Sequence, residues 1–241
     1  MSATSGKGNA QIDRRDLLAR LPIFSTLSER DLDHLVGLTT TKRLAPREEL
    51  CHKGDEGAQL YGVMTGRLKA VGTSLDGKEI VFSFIDPGET VGEIALLDEG
   101  MRSATVVAVE SSELFALHRR ELFGFLERNP KAAIKLAQGV AAHVRRLSES
   151  VEDTVFLGLP SRLAKKLLAL AESYGKQTGN GVEIEMNLPQ QALGELVGTT
   201  RESINKQLKL WAEQALVNFE RGRVTLLDRE QLELIADELD D

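Results

Sequence analysis

Cysteine occurs once in these 241 residues, at Cys51. A single thiol excludes an intrachain disulfide and any cluster built from several cysteines of this chain, and makes a reducing cytoplasm the expected location. No apolar run approaches the roughly 18 residues that would cross a bilayer, so no membrane is expected as a partner. The opening stretch, MSATSGKGNA, is small and polar, lacks the apolar core of a signal peptide, and reads as about ten flexible residues. The four histidines show no metal-ligand spacing, so no metal and no prosthetic group is expected.

Net positive charge is also missing: the formal charge is −7. Much of that deficit sits at one end. Residues 228–241, DREQLELIADELDD, hold seven acids and one arginine, so the chain before them is near neutral. The overall charge therefore neither supports nor excludes nucleic acid as a partner; its distribution has to decide. The acidic end reads as a solvated helix.

The length suits one large or two modest domains. Residues 16–38, DLLARLPIFSTLSERDLDHLVGL, carry apolar residues at helical spacing, with Ser28 placed to cap a helix. From 43 to 118 the texture changes to short alternating runs punctuated by glycine. Asp76-Gly77 between two apolar runs is a strong hairpin signal. Together these predict a β-barrel or sandwich of some eight strands. Helical spacing returns in RRELFGFLERNP and runs through 130–156. There Val140, Val144, Leu147, Val151 and Thr154 follow one another at 4, 3, 4 and 3 residues. That is a coiled-coil seam, covered either by a second copy of the chain or by the chain's own barrel. GLPSR then breaks the pattern ahead of a compact final segment.

In that segment LPQQALGELVGTTRESINKQLKLWAEQAL reads as two helices around a tight turn. Pro189 suits a first turn, Gln191–Val197 makes a short helix, Gly198 supplies the left-handed turn, and Thr200 caps a helix starting at Arg201. This is helix-turn-helix spacing. Arg201, Glu202, Ser203, Asn205 and Lys206 stand at the exposed start of the second helix, with Gln191 and Thr200 beside it. Arginine can pair bidentately with guanine, glutamate can accept from cytosine, and lysine reaches guanine or phosphate. VNFERGRVTLLD follows as a hairpin whose tip arginines, Arg221 and Arg223, are placed to touch phosphate. A winged, DNA-reading module is expected.

The sequence GEIALLDEGMRSA, residues 92–104, holds Glu93 and Arg102 around an apolar turn. By residue chemistry alone this is either a buried ion pair or a grip on a small anion with hydroxyls. A third reading makes Glu93 with Asp98 or Glu99 the acid and base of an enzyme acting on cyclic phosphates, but such hydrolysis usually needs a metal cluster that the sequence does not offer. No enzyme is expected.

With barrel, long helix and winged helix-turn-helix in this order, residues 12–227 resemble the cAMP receptor protein/FNR superfamily of bacterial transcription regulators. The most specific parts are GEIAL…RSA and VGTTRESINK. The resemblance implies an α+β chain: a cyclic-nucleotide-binding β-barrel of jelly-roll type over 12–129, a dimerisation helix over 130–157, and a winged helix-turn-helix over 158–241. It makes the 92–104 segment a phosphate-binding cassette. Arg102 meets the cyclic phosphate, Gly92 with the amides of Glu93, Ile94 and Ala95 approaches it, and Ser103 adds a hydroxyl. Ala104 leaves room for the ring, and Glu93 accepts from the ribose 2′-OH. Phe82, Ser83, Leu147 and Ser148 would enclose the base.

The chain departs from the cAMP receptor pattern at two places: Leu147 replaces a threonine, and His143 an arginine. The effector is thus cAMP first and cGMP second, with a ligand-free barrel or another effector as the alternative. The iron–sulfur branch needs more cysteines than one, and the haem branch needs an axial histidine where His52 and His118 do not fall. Cys51 reads as a buried strand thiol. Implied partners are a second copy of the chain, palindromic double-stranded DNA with half-sites resembling TGTGA, and RNA polymerase.

Overall fold

The computed structural model describes residues 14–21, 24–25 and 27–238. The polar N-terminal stretch, the expected barrel start at residue 12, Pro22 and Ile23 of LPIF, and the last three acidic-tail residues lie outside them. Two short helices come first, α1 (Arg14–Arg20) and α2 (Glu29–Leu38). Ser28 caps α2 as its sequence suggests, accepting from the Asp31 amide at 3.2 Å. The helix ends at Thr39, whose hydroxyl donates to the Val36 carbonyl. Strand structure begins there, four residues before the glycine-punctuated texture does, because Thr39, Thr40 and Thr41 are β-branched and favour extended backbone.

Eight strands follow: β1 (Thr39–Leu44), β2 (Glu49–Cys51), β3 (Gln59–Thr65), β4 (Leu68–Thr73), β5 (Glu79–Ile85), β6 (Thr90–Val91), β7 (Thr105–Ala108) and β8 (Ser112–His118). The short helix α3 (Glu93–Leu97) lies between β6 and β7. The strands form two four-stranded sheets ordered β1-β8-β3-β6 and β2-β7-β4-β5. The Asp76-Gly77 hairpin is present, with Gly77 at φ 79°. Two sheets covered on one side by helices require central strands apolar on both faces. Strands β3 and β8 meet that need by the period of two. Leu60 and Met64 of β3, with Phe115 and Leu117 of β8, join a core with Leu18, Phe24, Leu35 and Phe125. Tyr61 and Val63, with Leu114 and Ala116, join the barrel interior with Leu44, Leu68 and Val106. Gly62 is small for a reason: a Cβ there would meet the Phe115 ring at 2.0 Å.

Helices α4 (Arg119–Arg128) and α5 (Pro130–Phe156) come next, with Phe125 edge-on to Phe24 at 5.9 Å. Along α5 only Ala132 and Leu136 are buried. Further along, Val144, Leu147 and Val151 of the expected seam are 56, 42 and 63% exposed.

The final segment holds α6 (Leu159–Tyr174), β9 (Gly175–Thr178), β10 (Gly181–Ile184), α7 (Gln190–Val197), α8 (Arg201–Glu213), β11 (Val217–Glu220), β12 (Arg223–Leu226) and α9 (Arg229–Asp237). Its sheet is ordered β11-β12-β10-β9. Leu163, Leu167, Leu193, Ile204, Leu208, Trp211, Val224 and Leu232 are buried at its centre. Contacts divide the chain into two compact units. One runs through Val71 and resumes over Ser83–His143; the other comprises Gly72–Phe82 with Val144 onward. The β4–β5 hairpin tip groups with the C-terminal unit, and α5 contributes to both.

Candidate functional site

Within the first unit, Gly92 occupies the N-cap of α3 at φ 99°, a left-handed conformation that side chains resist. Space demands glycine as well: a Cβ would stand 2.1 Å from Nη1 of Arg102 and 2.9 Å from the Gln59 carbonyl. The helix is short, Glu93–Leu97, and is pinned by buried Ala95 and Leu96. Asp98 closes it, accepting from the Gly100 amide at 2.8 Å, and Glu99 pairs with Arg119. Both carboxylates offered above as partners of Glu93 in hydrolysis are thus engaged in building the turn.

Arg102 is only 6% exposed. It donates Nη2 to the Gln59 carbonyl at 2.7 Å and Nη1 to the Gly92 carbonyl at 3.2 Å, and its guanidinium lies over the Tyr61 ring at 5.6 Å. The backbone fixes it too, through its amide on the Asp55 carbonyl and its carbonyl on the Gly54 amide. Of the three buried side-chain atoms without a hydrogen-bond partner among the described residues, two stand here, Nε of Arg102 and Oε2 of Glu93; the third is Nε of Arg162 in the other unit. The arginine and glutamate therefore do not neutralise each other, and the buried ion pair is absent. A buried donor on a cation beside a buried acceptor on a carboxylate fits a ligand with an anionic group and a hydroxyl. Burial pushes the Glu93 carboxyl above its ordinary range, while its own backbone amide, His143 and Arg102 pull the other way.

Ser103 is exposed and Ala104 half-buried. Ser83 is half-buried in the same unit, whereas Phe82, Leu147 and Ser148 belong to the other unit. The Phe82 ring covers Gly72 on the neighbouring strand. Ser148 donates its hydroxyl to the Val144 carbonyl at 3.1 Å. Cys51 is half-buried on β2, and burial pushes its thiol up, as a structural thiol requires. His52 pairs with Glu49, and His118 caps α4. Among the described residues no group of three or more His, Cys, Asp or Glu is placed to hold a metal, and no helix is long and apolar enough to cross a membrane.

In the second unit α7 ends at Gly198, φ 75°, and Thr200 caps α8, accepting from the Ser203 amide at 3.2 Å. Pro189 is the N-cap of α7, one residue outside the first turn. Arg201, Glu202, Asn205 and Lys206 are exposed, Ser203 is half-buried, and Gln191 bonds along its own helix to Glu195. Lys206 pairs with Glu202 at 3.2 Å. At the wing, Arg221 and Gly222 both have positive φ, 51° and 82°, as a two-residue hairpin turn demands. Arg223 pairs with Glu183 of β10 at 2.7 Å, so Arg221 is the tip arginine without a partner among the described residues.

Residues 41–129 match the model of the cyclic nucleotide-binding domain, and residues 161–235 that of the Crp-like helix-turn-helix domain. The cyclic AMP receptor protein of Thermus thermophilus is 31% identical over 215 residues, 89% of this chain and 96% of that one. This chain belongs to the cAMP receptor protein/FNR family. The CRP-like cAMP-activated global transcriptional regulator of Mycobacterium tuberculosis is 28% identical over 222 residues, 90% of this chain and 97% of its own length. Among solved structures, the c-di-GMP responsive global regulator CLP of Xanthomonas campestris shares the fold. Its TM-score is 0.75 at 19% identity, with 83% of this chain and all of that one covered.

As a member of the cAMP receptor protein/FNR family, the chain is a transcription regulator and not an enzyme. It joins a cyclic nucleotide-binding domain to a DNA-binding one. Sequence reading did not single out the residues that hold Arg102 in place. Gln59 and Tyr61 act through a carbonyl and a ring face. Gly57 leaves room, since a Cβ there would stand 2.4 Å from that of Ala95 and 3.4 Å from Arg102 Nε. Only the glycine-rich KGDEGAQLYG hinted at such crowding. The β9–β10 hairpin was also unmarked, though GNG between short runs carried a turn signal.

Proposed function

We propose that the chain works as a homodimer that binds one cyclic nucleotide per barrel, cAMP by preference, and then reads a palindromic operator. The observation that carries this is the pair of unpartnered buried atoms, Arg102 Nε and Glu93 Oε2, flanking the left-handed Gly92. Arg102 would hold the cyclic phosphate with Ser103, the amides at the start of α3 would face it, and Glu93 would accept from the ribose 2′-OH. Phe82, Ser83, Leu147 and Ser148 would enclose the base, the last two from α5.

Ser148 favours adenine. With its proton in the hydrogen bond to the Val144 carbonyl, the hydroxyl leaves an acceptor for the adenine amino group. Leu147 offers none, so the preference is modest. Calorimetric titration with cAMP and cGMP, with and without DNA, tests the reading. Tighter cGMP binding would make this a cGMP regulator, and no binding of either would remove the effector assignment. On DNA, two α8 helices would enter successive major grooves about 34 Å apart, with Arg221 and Arg223 on phosphate and RNA polymerase as the downstream partner.

Glu93 provides a pH test. Its carboxyl is raised in the folded protein and ordinary in the unfolded chain, so between those values folding takes up a proton. Stability therefore falls as pH rises through that window, and the ionised form is the costly one at neutral pH. A bound 2′-OH needs that ionised acceptor, so nucleotide affinity should weaken as pH drops below the raised value. Glu93→Gln should melt no lower than wild type without ligand at pH 7, bind cAMP about three- to tenfold more weakly, and lose most of the acid dependence. A lower melting point with unchanged affinity would make Glu93 structural.

On the DNA side, Arg201→Ala should cost about 1–3 kcal/mol at the operator and relax selection at one G·C pair of each half-site. Binding measurements on operator variants would show this, and undiminished selectivity would remove Arg201 from base reading.

A further inference from the structure

The exposed face of α8 carries two rows, each one helical turn long. Glu202 and Lys206 form one and bond to each other across 3.2 Å of solvent-exposed surface. Arg201 and Asn205 form the other, which runs between that row and buried Ile204 and Leu208. Asn205 is held from outside its own helix: Gln190, the first residue of α7, donates Nε2 to Asn205 Oδ1 at 2.9 Å. The bond joins the two helices of the helix-turn-helix at the surface. In this arrangement the Asn205 oxygen is turned toward α7 and its amino group away from it.

We infer that Gln190 is a positioning residue that turns the Asn205 amino group outward, so that Asn205 selects bases presenting a major-groove acceptor and rejects cytosine. The inference rests on α8 entering the major groove, as proposed above. Guanine offers two acceptors there, O6 and N7; thymine offers O4 and adenine N7; cytosine offers only its N4 amino donor. An unrestrained asparagine would instead favour adenine, donating to N7 and accepting from N6 with the same amide. With Gln190 on its oxygen, the adenine arrangement loses its advantage and guanine ranks first.

The discriminating variant is Gln190→Glu. A carboxylate has no proton to donate, so it would accept from the Asn205 amino group and turn the amide over, presenting oxygen to the groove. The measurement is selection of a duplex library, randomised over both half-sites, by the full-length protein with cAMP and, in a parallel arm, with cGMP. Besides the G·C pair assigned to Arg201, wild type should show a position in each half-site, identified by its loss in Asn205→Ala, where guanine exceeds cytosine by about three- to tenfold. Gln190→Glu should bind more weakly at every site, from its added charge, and at that position alone shift toward cytosine and adenine. Gln190→Ala should move the position toward adenine. In an Asn205→Ala background neither change should alter the profile there, and thermal melting checks each variant's fold. A folded Gln190→Glu that selects the same bases as wild type at every position overturns the inference while leaving DNA reading intact. A wild type that selects no sequence in either arm removes the DNA reading itself.

Discussion

Arg102→Leu should yield a folded protein that has lost its cyclic nucleotide. Leucine fills part of the space but offers no charge, no Nε proton for the phosphate, and no fork to hold the Gln59 and Gly92 carbonyls. A hydrogen bond to a charged group is worth about 1.5–3 kcal/mol, so affinity should fall at least about 10- to 150-fold in a calorimetric titration with cAMP. Two carbonyls also lose their donor, which should lower the melting temperature modestly. The cores around Phe115 and Val63 do not include Arg102 and should survive. Arg102→Lys restores charge without the fork and should fall between the two. Nucleotide binding unchanged in Arg102→Leu would mean that the arginine serves the loop alone, and the effector assignment would fall with it.

If the chain is the homodimer proposed above, Val144→Glu combined with Val151→Glu should convert it into a monomer. Both side chains, with Leu147 between them, follow the 4-3 spacing of a two-helix seam and are more than two-fifths exposed in the isolated chain. Val155 and Phe156, 67 and 64% exposed, continue the apolar surface. Exposed apolar surface of this extent on one helix calls for a partner. Four glutamates brought to one dimer interface would repel, and their desolvation would add to the cost. Sedimentation should report half the mass. Operator affinity should drop at least about 100-fold, because the second half-site no longer benefits from the tether of the first. A dimer that persists in the double variant would place the interface on another face.

Local chemistry announced the elements that depend on it. Ser28 and Thr200 cap their helices, Asp76-Gly77 turns a hairpin, and Gly92 and Gly198 take left-handed backbone. Each is decided by one or two residues and their neighbours. The cassette was legible because its requirements fall within thirteen consecutive residues. What holds it was not. Gln59 reaches Arg102 across 43 residues through a carbonyl that any amino acid would supply, and Tyr61 does so through a ring face. Backbone acceptors leave no trace in composition. Alternation in β3 was obscured for a related reason: buried on both faces, the strand shows an apolar run with no period. The pairing of Arg223, placed at the hairpin tip to touch phosphate, was not legible because its partner, Glu183, lies 40 residues away on a strand that the sequence did not mark.

Helix α3 is only five residues long. Five residues cannot sustain a helix in water, since nucleation costs more than so few backbone bonds return. Its formation is underwritten by Leu96, fully buried in the same core as Phe125 and Leu136. The proposed grip on an anion at its first turn would therefore be available only in the fraction of molecules where that core is closed. Measured affinity is the intrinsic affinity scaled by that fraction. Substitutions deep among Leu96, Phe125 and Leu136 thus set the concentration at which the regulator responds, at a distance from every atom that would touch the nucleotide.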